Sequence, residues 1–114
     1  MSDPIVKWPF GEASTATLTA TGAQAISIVN EMTIINGAAV QATGNRTINL
    51  AIGSEVGIGA MIVAKFKSNA VETETFGTGC TAPVMTGVAG KTKVVTLIYD
   101  GTTFIQTGAE VQLD

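Results

Sequence analysis

Residues 46–52, Arg-Thr-Ile-Asn-Leu-Ala-Ile, alternate cleanly: Ile48, Leu50 and Ile52 point one way, Thr47, Asn49 and Ala51 the other. A strand turns successive side chains to opposite faces, so this period of two predicts a half-buried strand. Residues 60–68 repeat the pattern with Ile62, Ala64 and Phe66 on the core side and Met61, Val63, Lys65 and Lys67 opposite. Upstream, Thr15, Thr17, Thr19 and Thr21 alternate with Ala16, Leu18 and Ala20, predicting a strand with a threonine face outward. Residues 25–36 place Ile26, Ile28, Met32 and Ile34 on one parity, with a break near Asn30 and Glu31 that reads as a bulge or short turn. A helix over 23–31 competes there, but the density of β-branched residues favours strand.

The strongest short-range signal lies in residues 93–107. Asp100-Gly101 between two β-branched and aromatic runs predicts a two-residue type I′ hairpin, pairing Tyr99 with Thr102, Leu97 with Phe104 and Val95 with Gln106. Val95, Leu97, Tyr99 and Phe104 then share one face, and Val94, Thr96, Ile98, Ile105 and Thr107 the other. Both faces are substantially apolar, which implies a second sheet, another subunit, or both. Further turns are expected at Asn36-Gly37, Gly44-Asn45, 53–59, Ser68-Asn69, 77–83 and 87–90, and residues 110–113 read as a last edge strand. A hairpin at Ser68-Asn69 would set Glu72 and Glu74 against Lys65 and Lys67 on an exposed face.

About eight short strands without a convincing helix predict an all-β fold, an antiparallel β-sandwich of jelly-roll type. The expected organisation is an extended N-terminal arm over residues 1–12 and a sandwich domain over 13–114. The arm contains Pro4 and Pro9, which rule out a regular helix, yet carries Ile5, the sole Trp8, and Phe10. Those three side chains are the candidate partner-binding residues, expected to dock on another polypeptide while the sandwich folds independently.

Composition sharpens this picture. Hydrophobic residues make up 46% of the chain and charged residues only 13%, about half the usual share of roughly 25%. A surface so poor in charge is expected to be given over to protein neighbours. Six basic against nine acidic residues give a net charge of −3, which argues against nucleic acid as a partner. Residues 1–8 lack the features of a secretory signal, and no apolar tract approaches the roughly 20 residues of a spanning helix, so no membrane partner is expected.

Catalytic chemistry has little to draw on. The chain has no histidine and one cysteine, so neither an imidazole base nor a Cys/His zinc set is available, and no enzyme activity, cofactor or metal is expected. Cys80 reads as a small core residue or shielded thiol. Glu72 with Glu74 as a paired-carboxylate site, and residues 77–83 as an anion cradle, are both weak: the first lacks a pocket, the second a following helix. A carbohydrate-binding module is the alternative binding function, its aromatic supply limited to Trp8 and Tyr99 as exposed candidates.

Several segments carry a family resemblance: Ile-Ile-Asn-Gly at 34–37, Gly-Asn-Arg-Thr-Ile-Asn-Leu at 44–50, Thr-Phe-Gly-Thr-Gly at 75–79, Gly-Lys-Thr-Lys-Val at 90–94 and Tyr-Asp-Gly-Thr-Thr-Phe-Ile at 99–105. Over residues 33–108 the chain resembles the small β-sandwich virion proteins of tailed bacteriophages. That resemblance implies a non-enzymatic head-decoration or head-fibre subunit, assembled in the host cytoplasm and carried on the virion. It implies a homo-oligomer, commonly a trimer, that contacts the major capsid protein or other virion proteins.

Overall fold

The computed structural model describes residues 14–82 and 84–114, and among these the chain is all-β. Eleven strands run β1 (Ser14–Thr17), β2 (Gly22–Ile28), β3 (Met32–Ala42), β4 (Arg46–Ile52), β5 (Met61–Ser68), β6 (Thr73–Phe76), β7 (Cys80–Thr81), β8 (Met85–Thr86), β9 (Thr92–Tyr99), β10 (Phe104–Gln106) and β11 (Val111–Gln112). They form two sheets. The larger has the order β1-β3-β5-β9-β10-β7, with β11 also on β9, and the smaller has the order β2-β4-β6-β8.

The first six strands alternate between the sheets, and every pairing among them is parallel: β1 with β3, β3 with β5, β2 with β4 and β4 with β6. The chain thus winds as a coil, each strand lying beside the one laid down a turn earlier. The expected antiparallel jelly-roll arrangement does not describe this half of the molecule. Antiparallel pairing begins only where β8 and β9 return against β6 and β5. Alternation within a strand reveals its faces but not the direction of its neighbour, which is why the winding escaped a reading of single segments.

Both sheets contribute to one core. Ile26, Ile28, Ile48, Leu50 and Phe76 of the smaller sheet meet Ile35, Ile62, Ala64, Phe66, Val95, Leu97 and Phe104 of the larger. The predicted inward faces of β4 and β5 are observed, and of the two faces predicted for the hairpin the one with Val95, Leu97 and Phe104 is the buried one. Also observed are the turns after Ala42, at 53–60, and at 87–90, and the last edge strand, where Val111 pairs with Val94.

Three expectations change. The break at Asn30 and Glu31 is a crossing between sheets, and it resets parity: Ile26 and Ile28 point into the core, whereas in β3 it is Thr33 and Ile35 that are buried, leaving Met32 and Ile34 half-buried on the outer side. Asn36-Gly37 is not a turn but lies inside β3. Asn36 Oδ1 accepts bonds from the amides of Ala38 and Ala39, which satisfies the backbone of a bulge between Gly37 and Ala42 that a turn would otherwise resolve. A Cβ on Gly37 would sit 2.8 Å from Lys65 O and 2.9 Å from both Leu18 and Phe66. Gly37→Ala is therefore expected to cost about 1–3 kcal/mol through forced repacking, read as a lower urea midpoint.

The hairpin turn falls where expected but is longer. Asp100 N donates to Thr103 O, and Asp100 Oδ1 accepts from the amides of Thr102 and Thr103 at 2.9 Å each. These backbone bonds hold the Asp100 carboxyl below its usual range. Only Gly101 takes positive φ in this turn, so the type I′ geometry, which needs two such residues, is excluded. Tyr99 pairs with Phe104 rather than Thr102. That displacement is even, so every side chain keeps its predicted face.

Candidate functional site

Two places concentrate chemistry, one inside the molecule and one on its surface. Inside, Arg46 shares the inward parity of Ile48 and Leu50, and its register partner across the smaller sheet is Glu74. Both side chains are about 2% exposed, with Arg46 Nη2 2.7 Å from Glu74 Oε2 and Nε 3.0 and 2.9 Å from the two carboxylate oxygens. The remaining guanidinium hydrogens go to backbone carbonyls: Nη1 to Thr19 and Val40, Nη2 to Gly37 and, at 3.5 Å, Lys67. All five N–H donors of the guanidinium have acceptors, which makes burial of the charge tolerable.

Glu74 consequently does not face Lys65 or Lys67. The expected hairpin after Ser68 does not form, because residues 69–72 carry the chain across to the other sheet and β6 pairs with β4. The paired-carboxylate reading falls with it, since Glu74 is committed to Arg46. Burial pushes the Glu74 carboxyl up, and the Arg46 hydrogen bonds and charge pull it partly back. A small crevice beside it, lined by Phe66, Ser68, Met85 and Lys93, has space for about 10 Å³, on the scale of one water.

In residues 77–82 the backbone is already engaged, Thr78 N donating to Asn49 Oδ1 and Phe104 N to Gly79 O. Cys80 is half-buried against the core, and burial pushes its thiol from 9.0 to about 11. At pH 8 that lowers the thiolate fraction about a hundredfold, so alkylation by iodoacetamide is expected to be about a hundredfold slower than for a free thiol. Among the described residues no group of three or more His, Cys, Asp or Glu is placed to hold a metal ion.

The surface feature lies on the outer side of the larger sheet. Register runs Met32, Met61, Ile98, Ile105 straight across four strands, β3, β5, β9 and β10. The next row is Thr15, Ile34, Val63, Thr96, and the one after is Asn36, Lys65, Val94, Val111. At a strand spacing of about 4.8 Å the first row is an apolar stripe about 14 Å wide. Met32, Ile34, Met61, Val63 and Ile98 are half-buried, and Ile105 is 38% exposed. Threonines and Lys65 edge this block on two sides.

No family model matches the sequence, and no curated protein matches it.

The apolar second face expected for the hairpin is therefore present, covered by neither sheet. What the sequence did not reveal is its extent, because the alternation places Met32 and Ile34 on the same parity as Ile26 and Ile28, which the structure turns into the core. Recognising the crossing at Asn30 and Glu31 would have moved Met32 and Ile34 outward. Ile5, Trp8 and Phe10 lie outside the described residues. Tyr99, half of the proposed glycan platform, faces inward with its ring 5.1 Å from that of Phe104 and its hydroxyl donating to Gly101 O.

Proposed function

We propose that this chain is a non-enzymatic structural subunit of a tailed-bacteriophage virion, a head-decoration or head-fibre protein that associates with copies of itself, as a homotrimer, and seats on the major capsid protein. The observation that carries the proposal is the apolar block on the outer face of the larger sheet, which no other strand covers among the described residues. Apolar surface of this continuity left to water is costly in a monomer, and covering the exposed remainder of side chains such as Ile98 and Ile105 stabilises an interface by about 25 cal/mol for each Å² removed from water. Two facing sheets around one core make the fold a sandwich in this reading, with the outer face of the larger sheet as its contact surface. The low charge content and the turn-and-strand resemblance over 33–108 support the virion setting.

Light scattering on the purified protein at micromolar concentration is expected to give the mass of a trimer, and Ile98→Glu, on the outer face, that of a monomer with an unchanged fold. Wild-type protein should also co-sediment with phage heads. A chain that stays monomeric and never binds heads overturns the proposal.

A further inference from the structure

We infer that Met32 and Met61 form an oxidation site on the outer face of the larger sheet, where a peroxide converts both thioethers to sulfoxides and so blocks self-association of the free subunit. The site itself follows from register and exposure. Its effect on assembly rests on the self-association proposed above.

Of the four methionines, three lie among the described residues, and strand parity separates them. Met85 of β8 is 2% exposed and belongs to the core. Met32 and Met61 take the outer parity of β3 and β5, next to buried Thr33 and Ile62, and both are half-buried. They are register partners in the parallel β3-β5 pair, which sets their Cα atoms about 4.8 Å apart with the side chains on one face. One approach therefore reaches both sulfurs. A thioether is polarizable and reacts without losing a proton, so access decides which methionine is oxidised. Cys80 is the competing sulfur, but burial pushes its thiol up to about 11 and keeps the reactive thiolate scarce.

The step balances with the peroxide alone. A sulfur lone pair attacks one peroxide oxygen, and the O–O bond breaks as the S–O bond forms. The departing hydroxide takes the proton from the transferred hydroxyl and leaves as water. Sulfur loses two electrons and the peroxide gains two. The product carries a polar oxygen where the side chain was apolar. Its neighbours on this face, Ile34, Val63 and Ile98, offer no side-chain donor. In the free subunit water bonds the new oxygens and the strands stay as they are, because both side chains already face outward. Covered by a second copy, the oxygens lose that water, and burying an unpartnered polar group weakens association about tenfold to hundredfold. The coupling is reciprocal: a copy seated on the stripe shields the sulfurs, so oxidation acts on the free subunit and spares the assembled one.

The test treats the full-length chain with hydrogen peroxide, once at micromolar concentration and once at a dilution where it is monomeric, followed by peptide mapping and light scattering. In the dilute sample sulfoxide is expected at Met32 and Met61 about tenfold faster than at Met85, and the concentrated sample should lose most of that advantage. Chain oxidised at both positions should scatter as a monomer with its urea midpoint unchanged, and methionine sulfoxide reductases should restore the oligomer. Met32→Leu with Met61→Leu, which keeps an apolar side chain of similar volume, should associate normally and ignore peroxide. Equal oxidation of Met85, or peroxide that still dissociates the double leucine variant, would place the reactive sulfur elsewhere and overturn the inference. An untreated oligomer that survives full oxidation at both positions would overturn it while leaving self-association standing. An untreated chain that is already monomeric overturns self-association and this effect together, before any peroxide is added.

Discussion

Arg46→Met is expected to lower the unfolding free energy by about 3–5 kcal/mol, because it leaves the Glu74 carboxylate buried without its partner. It also removes the donors from the carbonyls of Thr19, before β2, and of Gly37 and Val40, both in β3. Against a total of roughly 5–15 kcal/mol for a domain of this kind, such a loss removes a large fraction of stability. The deficit should depend on pH with a definite sign. Burial raises the folded-state pKa of Glu74, and without Arg46 nothing bonded to it offsets that. A carboxyl raised on folding costs stability above its folded pKa and regains it as pH falls toward the unfolded value. Urea midpoints for Arg46→Met should therefore approach those of the wild type from pH 7 toward pH 4. Adding Glu74→Leu removes the orphaned charge and should recover most of the loss at pH 7; a double variant as unstable as the single one would contradict this account.

Phe104→Ala is expected to cost about 3–5 kcal/mol, the range for truncating a fully buried phenylalanine. Phe104 is 0% exposed, lies against the Tyr99 ring, and sits on a strand of only three residues that holds β7 on its far side. The adjacent Ile105 points to the outer face and is partly exposed. Ile105→Ala should thus cost less than about 1 kcal/mol in the monomer while weakening self-association. Denaturation by urea, monitored with the chain held below its association concentration, separates the two. Equal losses would mean that the faces of β10 are not as described.

How far the sequence foretold this molecule depends on the range of each interaction. Side-chain parity within β4, β5 and β9 was legible because it is set by neighbours two residues apart. Pairing was not: nothing near Arg46 announces Glu74, and a charged residue on a core parity looks like a strand terminus until its partner is known. Asn36-Gly37 has the composition of a turn, yet here Gly37 serves a close approach of β3 to Lys65, Leu18 and Phe66. In the hairpin, Asp100 was expected to tolerate positive φ but instead caps two amides with its carboxylate, which lengthens the loop by an even number of residues. The surface block was legible through Met61, Val63, Ile98 and Ile105. Its remainder, Met32 and Ile34, depended on a sheet crossing that period-two counting cannot distinguish from a bulge.

The coil has a consequence for how the chain reaches its native state. Partners in its parallel pairs are far apart: Ser14 joins Thr33, Gly22 joins Arg46, Arg46 joins Glu74 and Met32 joins Met61. Each such closure loses chain entropy before any contact repays it, which places folding in the slow range of milliseconds to seconds. Only the turn between β9 and β10 closes locally. During synthesis, however, each of β3, β4, β5 and β6 finds its first partner already made and upstream, so winding can follow the emerging chain one strand at a time.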